Sequence, residues 1–248
     1  MPTYTLTPEQ LRGEGIYNSF EIPAGGGSSF ASTDSFVFDG TDDYITNTSS
    51  PFSLLDGQSK ATISAWIKVG TATDSLSYLC AVPGGSAFTI GVRLQTVTST
   101  VVWCYVNTAA NNNRAFTNIG IIKGDGLWHH LMVCLDLSLD NYQECQIFLD
   151  NNLQTMNGFF ANATLPNAND SLYIGNRDSI NASHFGGNID EFAIWSGADL
   201  RSEVSAVYNG GIPGDLNNSG LSRNPDLWYR MGENATWSGR EFNITDAA

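Results

Sequence analysis

The sequence has few basic residues and few charged residues of either sign. Only 11 of its 248 residues are Lys or Arg, against 25 Asp and Glu, so the formal net charge at pH 7 is −14. Nucleic-acid binding needs clustered Lys and Arg for the phosphates, and the basic residues here are scattered, so we expect no nucleic-acid partner. No apolar run approaches the roughly 18 residues of a transmembrane helix, so no membrane span is expected.

The first residues also lack the features of a secretory signal. Residues 1–8 (MPTYTLTP) have neither a basic start nor an apolar stretch. Three explanations are open. The sequence begins after processing or cloning, the protein acts inside cells, or it leaves them by virus assembly and lysis.

Only four cysteines are present, and none forms a Cys-x-x-Cys pair. This spacing disfavours zinc binding and thioredoxin-like chemistry. Cys134 and Cys145 fall on two runs that are expected to form a hairpin, and in the simplest register they face each other. A cross-strand disulfide is therefore one alternative, and buried free thiols are the other.

Short apolar runs that alternate with polar residues dominate the middle of the chain. Over residues 61–69, Ile63, Ala65 and Ile67 share one face of a strand and Trp66 lies on the other. Similar runs recur, bounded by Gly, Asn, Asp or Ser, and no long helical period interrupts them. The pattern predicts an all-β, two-sheet antiparallel sandwich. Further strands are predicted over residues 35–38, 44–46, 78–82, 88–95, 100–106, 120–123, 129–136, 143–149, 171–174 and 188–195.

One short helix is predicted over residues 199–209. Asp199 is suited to cap its first turn, and Leu200, Val204 and Val207 share one face. Gly210 and the glycine after it end the helix.

Four motifs in order along the chain resemble a known family. They read FDGTDDYI at residues 38–45, TISAWI at 62–67, GDGLWHH at 124–130 and GGNIDEFAIW at 186–195. Together they resemble the laminin-G-like, concanavalin-A-like jelly roll, over about residues 35–210. The resemblance implies a β-sandwich that usually binds, bridges or decorates, and that catalyses only where carboxylates have been added to its concave face.

Both ends of the chain extend beyond the motifs. Residues 1–33 are predicted to be an N-terminal arm and flexible linker, 34–210 the jelly roll, and 211–248 a C-terminal loop and extra strand. The arm either packs on its own sandwich or reaches a neighbouring subunit. The extra strand either completes its own sandwich, which we favour, or belongs to a second domain or a neighbouring subunit.

Residues suited to catalysis are not expected. The Glu-x-Asp-x-x-Glu strand of related glucanases does not occur. Asp190 and Glu191 are adjacent on a predicted strand, so we expect them to point to opposite faces. His129 and His130 open a core strand in the resembling family, which implies packing and turn hydrogen bonds. A glycoside hydrolase or lyase is therefore the least favoured function.

One structural calcium ion is implied by the resemblance, because such an ion often links the first and last strands of these folds. The ligands map onto Asp39, Gly40 and Asp190. Turn carboxylates and carbonyl groups suit calcium. The alternative is that Asp39 forms an Asx turn and Asp190 caps backbone amides.

Aromatic residues near polar side chains suggest a carbohydrate site, since sugar faces stack on rings and hydroxyls need fixed hydrogen bonds. The candidates are Trp66, Trp103, Tyr105, Asn107 and Tyr142. The alternative role of each aromatic residue is core packing.

The leading function is a non-catalytic structural or adhesive module of a virion, either a capsid decoration or part of a fibre. The motivation is the missing signal, the two extensions and the Lys-poor surface. We expect Ile16, Tyr17, Phe20 and Ile22 to dock the module onto a capsid or fibre protein at the virion surface, with self-association also open. The alternative is an extracellular, calcium-dependent lectin module that binds a cell-surface glycan.

Overall fold

A computed structural model describes most of the chain. It covers residues 3–5, 30, 32–47, 51–71, 76–84, 87–96, 100–108, 111–119, 124–139, 143–159, 164–178, 183–233, 235–237 and 242–248. The predicted strand at 120–123, the predicted docking residues and Tyr142 lie outside these ranges.

Seventeen strands and one short α-helix, α1 (Val204–Tyr208), are present in the described residues, with 3-10 turns at Ser53–Leu55 and Asn209–Gly211. The strands are β1 (Thr3–Thr5), β2 (Phe36–Asp39), β3 (Ile45–Thr46), β4 (Lys60–Val69), β5 (Leu76–Gly84), β6 (Ala87–Thr96), β7 (Thr100–Thr108), β8 (Asn111–Ile119), β9 (His129–Asp136), β10 (Cys145–Leu149), β11 (Asn152–Leu153), β12 (Asn157–Phe159), β13 (Tyr173–Ile174), β14 (Gly186–Ser196), β15 (Leu227–Tyr229), β16 (Ala235–Trp237) and β17 (Phe242–Thr245).

Two seven-stranded antiparallel sheets form the sandwich. Sheet I has the order β11-β10-β9-β4-β14-β15, with β2 also pairing with β14, and sheet II has the order β12-β8-β7-β6-β5-β13-β3. The inward side chains of both sheets form one apolar core, which includes Ile63, Ala65 and Ile67 as the alternation predicts. The prediction of an antiparallel β-sandwich with one short helix is confirmed.

The outer face of sheet I is also buried, because α1 and the segment after it pack on it. Leu200, Val204 and Val207 contact a second apolar cluster that contains Trp195 and Trp228. The helix is shorter than predicted, because it begins at Val204. The Asp199 carboxylate accepts a hydrogen bond from the Arg201 amide in the turn that precedes α1. No helix among the described residues is long and apolar enough to cross a membrane.

The hairpin of β9 and β10 has a register that differs from the predicted one. Cys134 lies opposite Gln146, and Cys145 lies opposite Leu135. A register difference of one residue reverses the face of every side chain. Cys134 therefore faces the outer cluster while Cys145 faces the main core, and both are buried free thiols. The cross-strand disulfide is not formed.

Strand β8 (Asn111–Ile119) was not among the strands predicted from the sequence. Asn has low β-propensity, so three consecutive Asn residues favour a loop when the sequence is considered alone. In the structure β8 pairs along its whole length with β7, from Thr100 opposite Ile119 to Thr108 opposite Asn111. This pairing extends sheet II and places Phe116 beside β7.

The ends of the chain pack on the sandwich to which they belong. Strand β15 pairs with β14, which is the favoured alternative for the C-terminal strand. The Phe30 ring stacks on Trp228 with centroids 5.9 Å apart, so the described end of the arm also contacts its own sheet. Strand β1 pairs with β17 in a separate three-stranded sheet with β16.

Candidate ligand-binding face

Four side chains form a half-buried row on the outer face of sheet II. In the register of β6, β7 and β8, Arg93 lies opposite Trp103, and Trp103 lies opposite Phe116. Tyr105 follows Trp103 two residues along β7, on the same face. The alternate residues of these strands fill the core. We call Arg93, Trp103, Tyr105 and Phe116 the aromatic row.

The rings of the aromatic row are held by mutual stacking. The Trp103 and Phe116 centroids are 4.3 Å apart with an interplanar angle of 27°, and the Trp103 and Tyr105 centroids are 5.9 Å apart at 18°. The Arg93 Cζ atom lies 5.1 Å from the Trp103 centroid and 4.8 Å from the Tyr105 centroid. The Trp103 indole N–H donates to Gln95 Oε1 at 3.2 Å. Such contacts fix the ring orientations before a ligand arrives.

This surface has the chemistry of a sugar site. Aromatic carbon atoms contact the apolar face of a sugar ring, and guanidinium and amide N–H groups donate to its oxygens. Gly91 lies opposite Tyr105 in the register, so no side chain stands between β6 and this ring at that position. The backbone of Asn107 lies two residues beyond Tyr105, opposite Asn112. Trp103, Tyr105 and Asn107 therefore share one strand, which ends two residues beyond the predicted end at residue 106.

Arg93, Gln95 and Phe116 were not among the predicted site residues. The strand predicted over residues 88–95 contains both Arg93 and Gln95, and alternation along a strand would place them on one face. Phe116 lies on the strand that was expected to be a loop, so only the pairing of β7 with β8 shows its position.

Trp66 does not contribute to this face. It lies on the outer side of sheet I, as predicted, but its side chain is buried by α1. The Tyr208 ring stacks on it with centroids 5.8 Å apart and an interplanar angle of 18°. A sugar cannot reach this indole while α1 is in place, so Trp66 is removed from the carbohydrate candidates.

The three predicted calcium ligands do not form one site. Asp39 lies opposite Gly186, and Asp190 lies four residues further along β14, which corresponds to roughly 13 Å. Asp39 Oδ1 accepts the amides of Thr41 at 2.7 Å and Asp42 at 3.3 Å, so the Asx turn is present. Among the described residues, two clusters of three carboxylates have oxygens that lie within 4.8 Å of one another. They are Asp39–Asp42–Asp43 and Asp190–Glu191–Glu233.

The closeness of Asp190 and Glu191 contradicts the prediction that they point to opposite faces. The register of β14 with β4 shifts between Asp190 and Ala193, and Glu191 has a positive φ of 49°. A β-bulge of this kind breaks the alternation of side chains along a strand. Both carboxylates therefore lie on the outer side of sheet I, next to Glu233.

This carboxylate cluster, Asp190, Glu191 and Glu233, binds the two ends of the chain. Trp228 Nε1 donates to Glu191 Oε2 at 2.6 Å, and the Ser32 hydroxyl donates to Asp190 Oδ2 at 2.7 Å. Glu233 Oε1 accepts backbone amides from Thr33 and Asp34. The cluster therefore joins the end of the arm and the segment around β15 to β14.

Burial changes the protonation of the cluster. Loss of solvent raises the pKa of Glu191 to about 7, although the nearby Arg230 guanidinium opposes this effect. Burial also raises the pKa of Asp190 well above its usual value, and the charges of Glu191 and Glu233 act in the same direction. Near neutral pH the cluster therefore retains protons that exposed carboxylates would have lost.

The two histidines have structural contacts. His129 Nδ1 lies 2.7 Å from Asp150 Oδ2, and this hydrogen bond raises the pKa of His129. His130 Nε2 is hydrogen-bonded to the Ser64 hydroxyl at 2.8 Å, and burial lowers the pKa of His130 to about 4. These positions agree with the packing and turn roles predicted for the Trp-His-His motif.

The fold and the sequence agree with one superfamily. A family model for the concanavalin A-like lectin/glucanases superfamily, of laminin G type, matches residues 39–205. The chain belongs to this superfamily. A search of the curated proteins found no match.

Solved structures show the same fold at low sequence identity. The SAP-like pentraxin of Limulus polyphemus has a TM-score of 0.53 and 15% identity, covering 69% of this chain and 79% of the pentraxin. A second structure is domain 4 of AbnA, a GH43 extracellular arabinanase of Geobacillus stearothermophilus, in complex with arabinotriose. It has a TM-score of 0.51 and 15% identity, covering 82% of this chain and 86% of the domain 4 chain. The enzymatically active domain of tailspike protein 2 of bacteriophage CBA120 has a TM-score of 0.58 and 9% identity, covering 87% of this chain but 32% of the tailspike chain.

Proposed function

We propose that this protein is a non-catalytic carbohydrate-binding module and that the aromatic row is its binding surface. The observation that carries the proposal is the half-exposed Trp103–Tyr105 pair, fixed by stacking and flanked by the donors of Arg93 and Gln95. Aromatic surface with a few oriented polar groups is the usual composition of a sugar site.

The position of the clustered acidic residues supports binding without hydrolysis. Hydrolysis requires two carboxylates across a glycosidic bond. The carboxylate cluster contains Asp190 and Glu191, whose pKa values are raised by burial as would suit an acid, but it lies on sheet I while the aromatic row lies on sheet II. Its hydrogen bonds to Ser32, Trp228 and the arm amides are structural, and Asp190 has no exposed surface.

A glycan array with purified protein tests this proposal. We expect wild type to bind a subset of glycans, and Trp103→Ala to weaken binding at least about tenfold through loss of ring contact. Leu127→Ala is the control, because Leu127 is an exposed apolar residue on the loop before β9. Unchanged glycan binding by a folded Trp103→Ala variant would contradict the proposal, as would the absence of any bound glycan.

Calcium binding remains a prediction, now limited to one end of β2. Asp39, Asp42 and Asp43 each place a carboxylate oxygen within 4.8 Å of the others, although backbone amides already occupy part of the Asp39 and Asp43 carboxylates. If calcium binds, the midpoint of thermal unfolding rises with added CaCl2 but not with MgCl2, and Asp42→Asn reduces the shift. Equal midpoints with and without calcium would exclude the ion here.

The virion role likewise remains a prediction. The likeness to the tailspike domain concerns the fold alone at 9% identity, and the docking residues lie outside the described ranges. A glycan-binding module on a virion surface is consistent with both functions. A module free of any particle, which is the extracellular alternative, is equally consistent with the aromatic row.

A further inference from the structure

Acidic residues are absent from the part of the chain that forms the aromatic row. Although the sequence contains 25 Asp and Glu, none occurs between Asp74 and Asp125. This stretch contains β5, β6, β7 and β8, four consecutive strands of sheet II, and the row lies on β6, β7 and β8. Its charged residues are all basic: Arg93, Arg114 and Lys123. The strands that carry the row therefore contribute basic side chains and no acidic ones, on a strongly acidic protein.

Arg93 differs from most other basic side chains in having no carboxylate partner. Five of the basic residues that the structure describes form ion pairs, whereas Arg93 and Lys68 do not. The five pairs are Lys60–Asp136, Arg177–Asp178, Arg201–Asp199, Arg223–Asp226 and Arg230–Glu191. No carboxylate among the described residues therefore forms an ion pair with Arg93.

The orientation of Arg93 leaves donors for a ligand. The Arg93 Cζ atom lies over the Trp103 and Tyr105 rings, and a guanidinium that stacks on a ring leaves its N–H groups in its own plane for other acceptors. One hydrogen bond goes to the Tyr78 hydroxyl. The Nε–H group of Arg93 has no hydrogen-bond partner among the described residues but is buried, so a ligand would pair with the terminal N–H groups. A guanidinium has five N–H donors, so several remain for an acceptor.

These observations favour one class of ligand. A neutral sugar would use the rings and Gln95 and gains little from an unpaired cation. A carboxylate or sulfate accepts two parallel N–H bonds from Arg and neutralises its charge, which makes it the stronger partner. We propose that the aromatic row binds anionic glycans, with the carboxylate or sulfate of a sugar residue pairing with Arg93 and the sugar ring contacting Trp103 or Tyr105. This inference rests on the proposed carbohydrate-binding function.

The net charge of −14 adds a requirement for specificity. At long range the protein repels polyanions, and at short range we expect this face to attract them. Binding should therefore require ring contact together with the ion pair, and it should weaken as salt screens the pair. A general attraction to any polyanion, nucleic acid included, is not expected.

Isothermal titration of the full chain tests the inference with matched ligands. Oligogalacturonate is compared with its fully methyl-esterified form, and dextran sulfate with dextran, so that each pair differs in charge on one backbone. We expect at least one charged form to bind about tenfold more tightly than its neutral counterpart. A single-stranded oligonucleotide, which is expected not to bind, serves as the polyanion control.

Two variants separate the inference from the function on which it rests. Arg93→Gln should abolish the preference for the charged form, and Arg223→Gln, which removes an exposed and ion-paired arginine elsewhere, should preserve it. If charged and neutral forms bind equally and Arg93→Gln changes nothing while Trp103→Ala weakens both, the anion inference is wrong and the carbohydrate function stands. If Trp103→Ala has no effect on any bound glycan, the proposed function itself fails. Absence of binding to both charged ligands, or equally tight oligonucleotide binding, overturns the anion inference.

Discussion

The indole N–H of Trp228 donates to Glu191 Oε2 at 2.6 Å, between two residues 37 positions apart in the sequence. The bond joins the bulge of β14 to β15, and both groups are buried. Arg230, on the same side of β15, lies 3.4 Å from the other Glu191 oxygen. The Glu191 carboxylate thus links β15 to β14, and its proton affinity depends on folding.

Glu191 should make the protein less stable as pH rises from about 4.5 to about 7. Its folded pKa, about 7, lies above the value of 4.5 for an unperturbed Glu, so the folded state holds more protons across this window. This stabilisation is full below about pH 4.5 and disappears as pH passes the folded pKa. Urea unfolding at pH 5 and pH 8 measures it, and Glu191→Gln should show a smaller loss of unfolding free energy between these values.

Asp190 provides the internal comparison for that experiment. Its pKa is also raised by burial, so Asp190→Asn should reduce the same pH dependence. Glu203→Gln is a suitable control, because Glu203 hydrogen-bonds Ser222 in an exposed setting away from the cluster. If the unfolding free energies of wild type and Glu191→Gln changed with pH in parallel, Glu191 would titrate as an exposed residue does.

The His129–Asp150 pair should stabilise the fold most when both groups are charged. The hydrogen bond that His129 donates to Asp150 raises the pKa of His129. Burial opposes ionisation of Asp150, but the hydrogen bonds it accepts from His129 and the His130 amide lower its pKa. The difference in unfolding free energy between wild type and Asp150→Asn should thus be greatest at mildly acidic pH. It should shrink as pH rises through the His129 pKa. We expect about 1 kcal/mol at most, because the carboxylate is partly exposed.

Two measurements check this pair. An NMR titration should show His129 with a pKa above 6.5 in wild type and a lower one in Asp150→Asn. His130, whose pKa is lowered to about 4, should not titrate near neutral pH in either protein. Identical His129 titration curves in the two proteins would mean that the pair does not form in solution.

The sequence predicted features that depend on local alternation and motif. The inner face of β4, with Ile63, Ala65 and Ile67, follows from the period of two along one strand, and Trp103 and Tyr105 share a face for the same reason. The four motifs identified the superfamily, which the family model confirms over residues 39–205. These predictions needed no knowledge of which strands pair.

Features that depend on pairing between distant strands were missed. The bulge that turns Glu191 beside Asp190 arises where β14 pairs with both β4 and β15. The register of β9 with β10 decided the faces of the cysteines, and a turn length read from sequence does not fix a register. The burial of Trp66 depends on where α1 packs, which the periodicity of α1 does not specify.

Trp66 should matter for stability and not for glycan binding. Replacing a buried Trp by Ala removes its contacts with Tyr208 and His130 and leaves a cavity, with an expected cost of about 3–5 kcal/mol. Trp66→Phe keeps an aromatic ring and should cost less. Thermal unfolding measures both, and glycan affinity of Trp66→Phe, measured below its unfolding temperature, should equal that of wild type. A selective loss of glycan binding in this folded variant would return Trp66 to the binding site.

Docking through the arm can be tested without disturbing the chain ends. Deleting residues 1–24 should abolish attachment to the particle and leave the sandwich folded, but the deletion also removes β1, which pairs with β17. Replacing Ile16, Tyr17, Phe20 and Ile22 together by Ser keeps β1 and removes the apolar side chains, which are the expected anchors. Co-sedimentation with particles should fall to background in this variant, while glycan binding, which involves sheet II, should be unchanged. Retained co-sedimentation with a normal unfolding midpoint would show that these four residues do not dock the module.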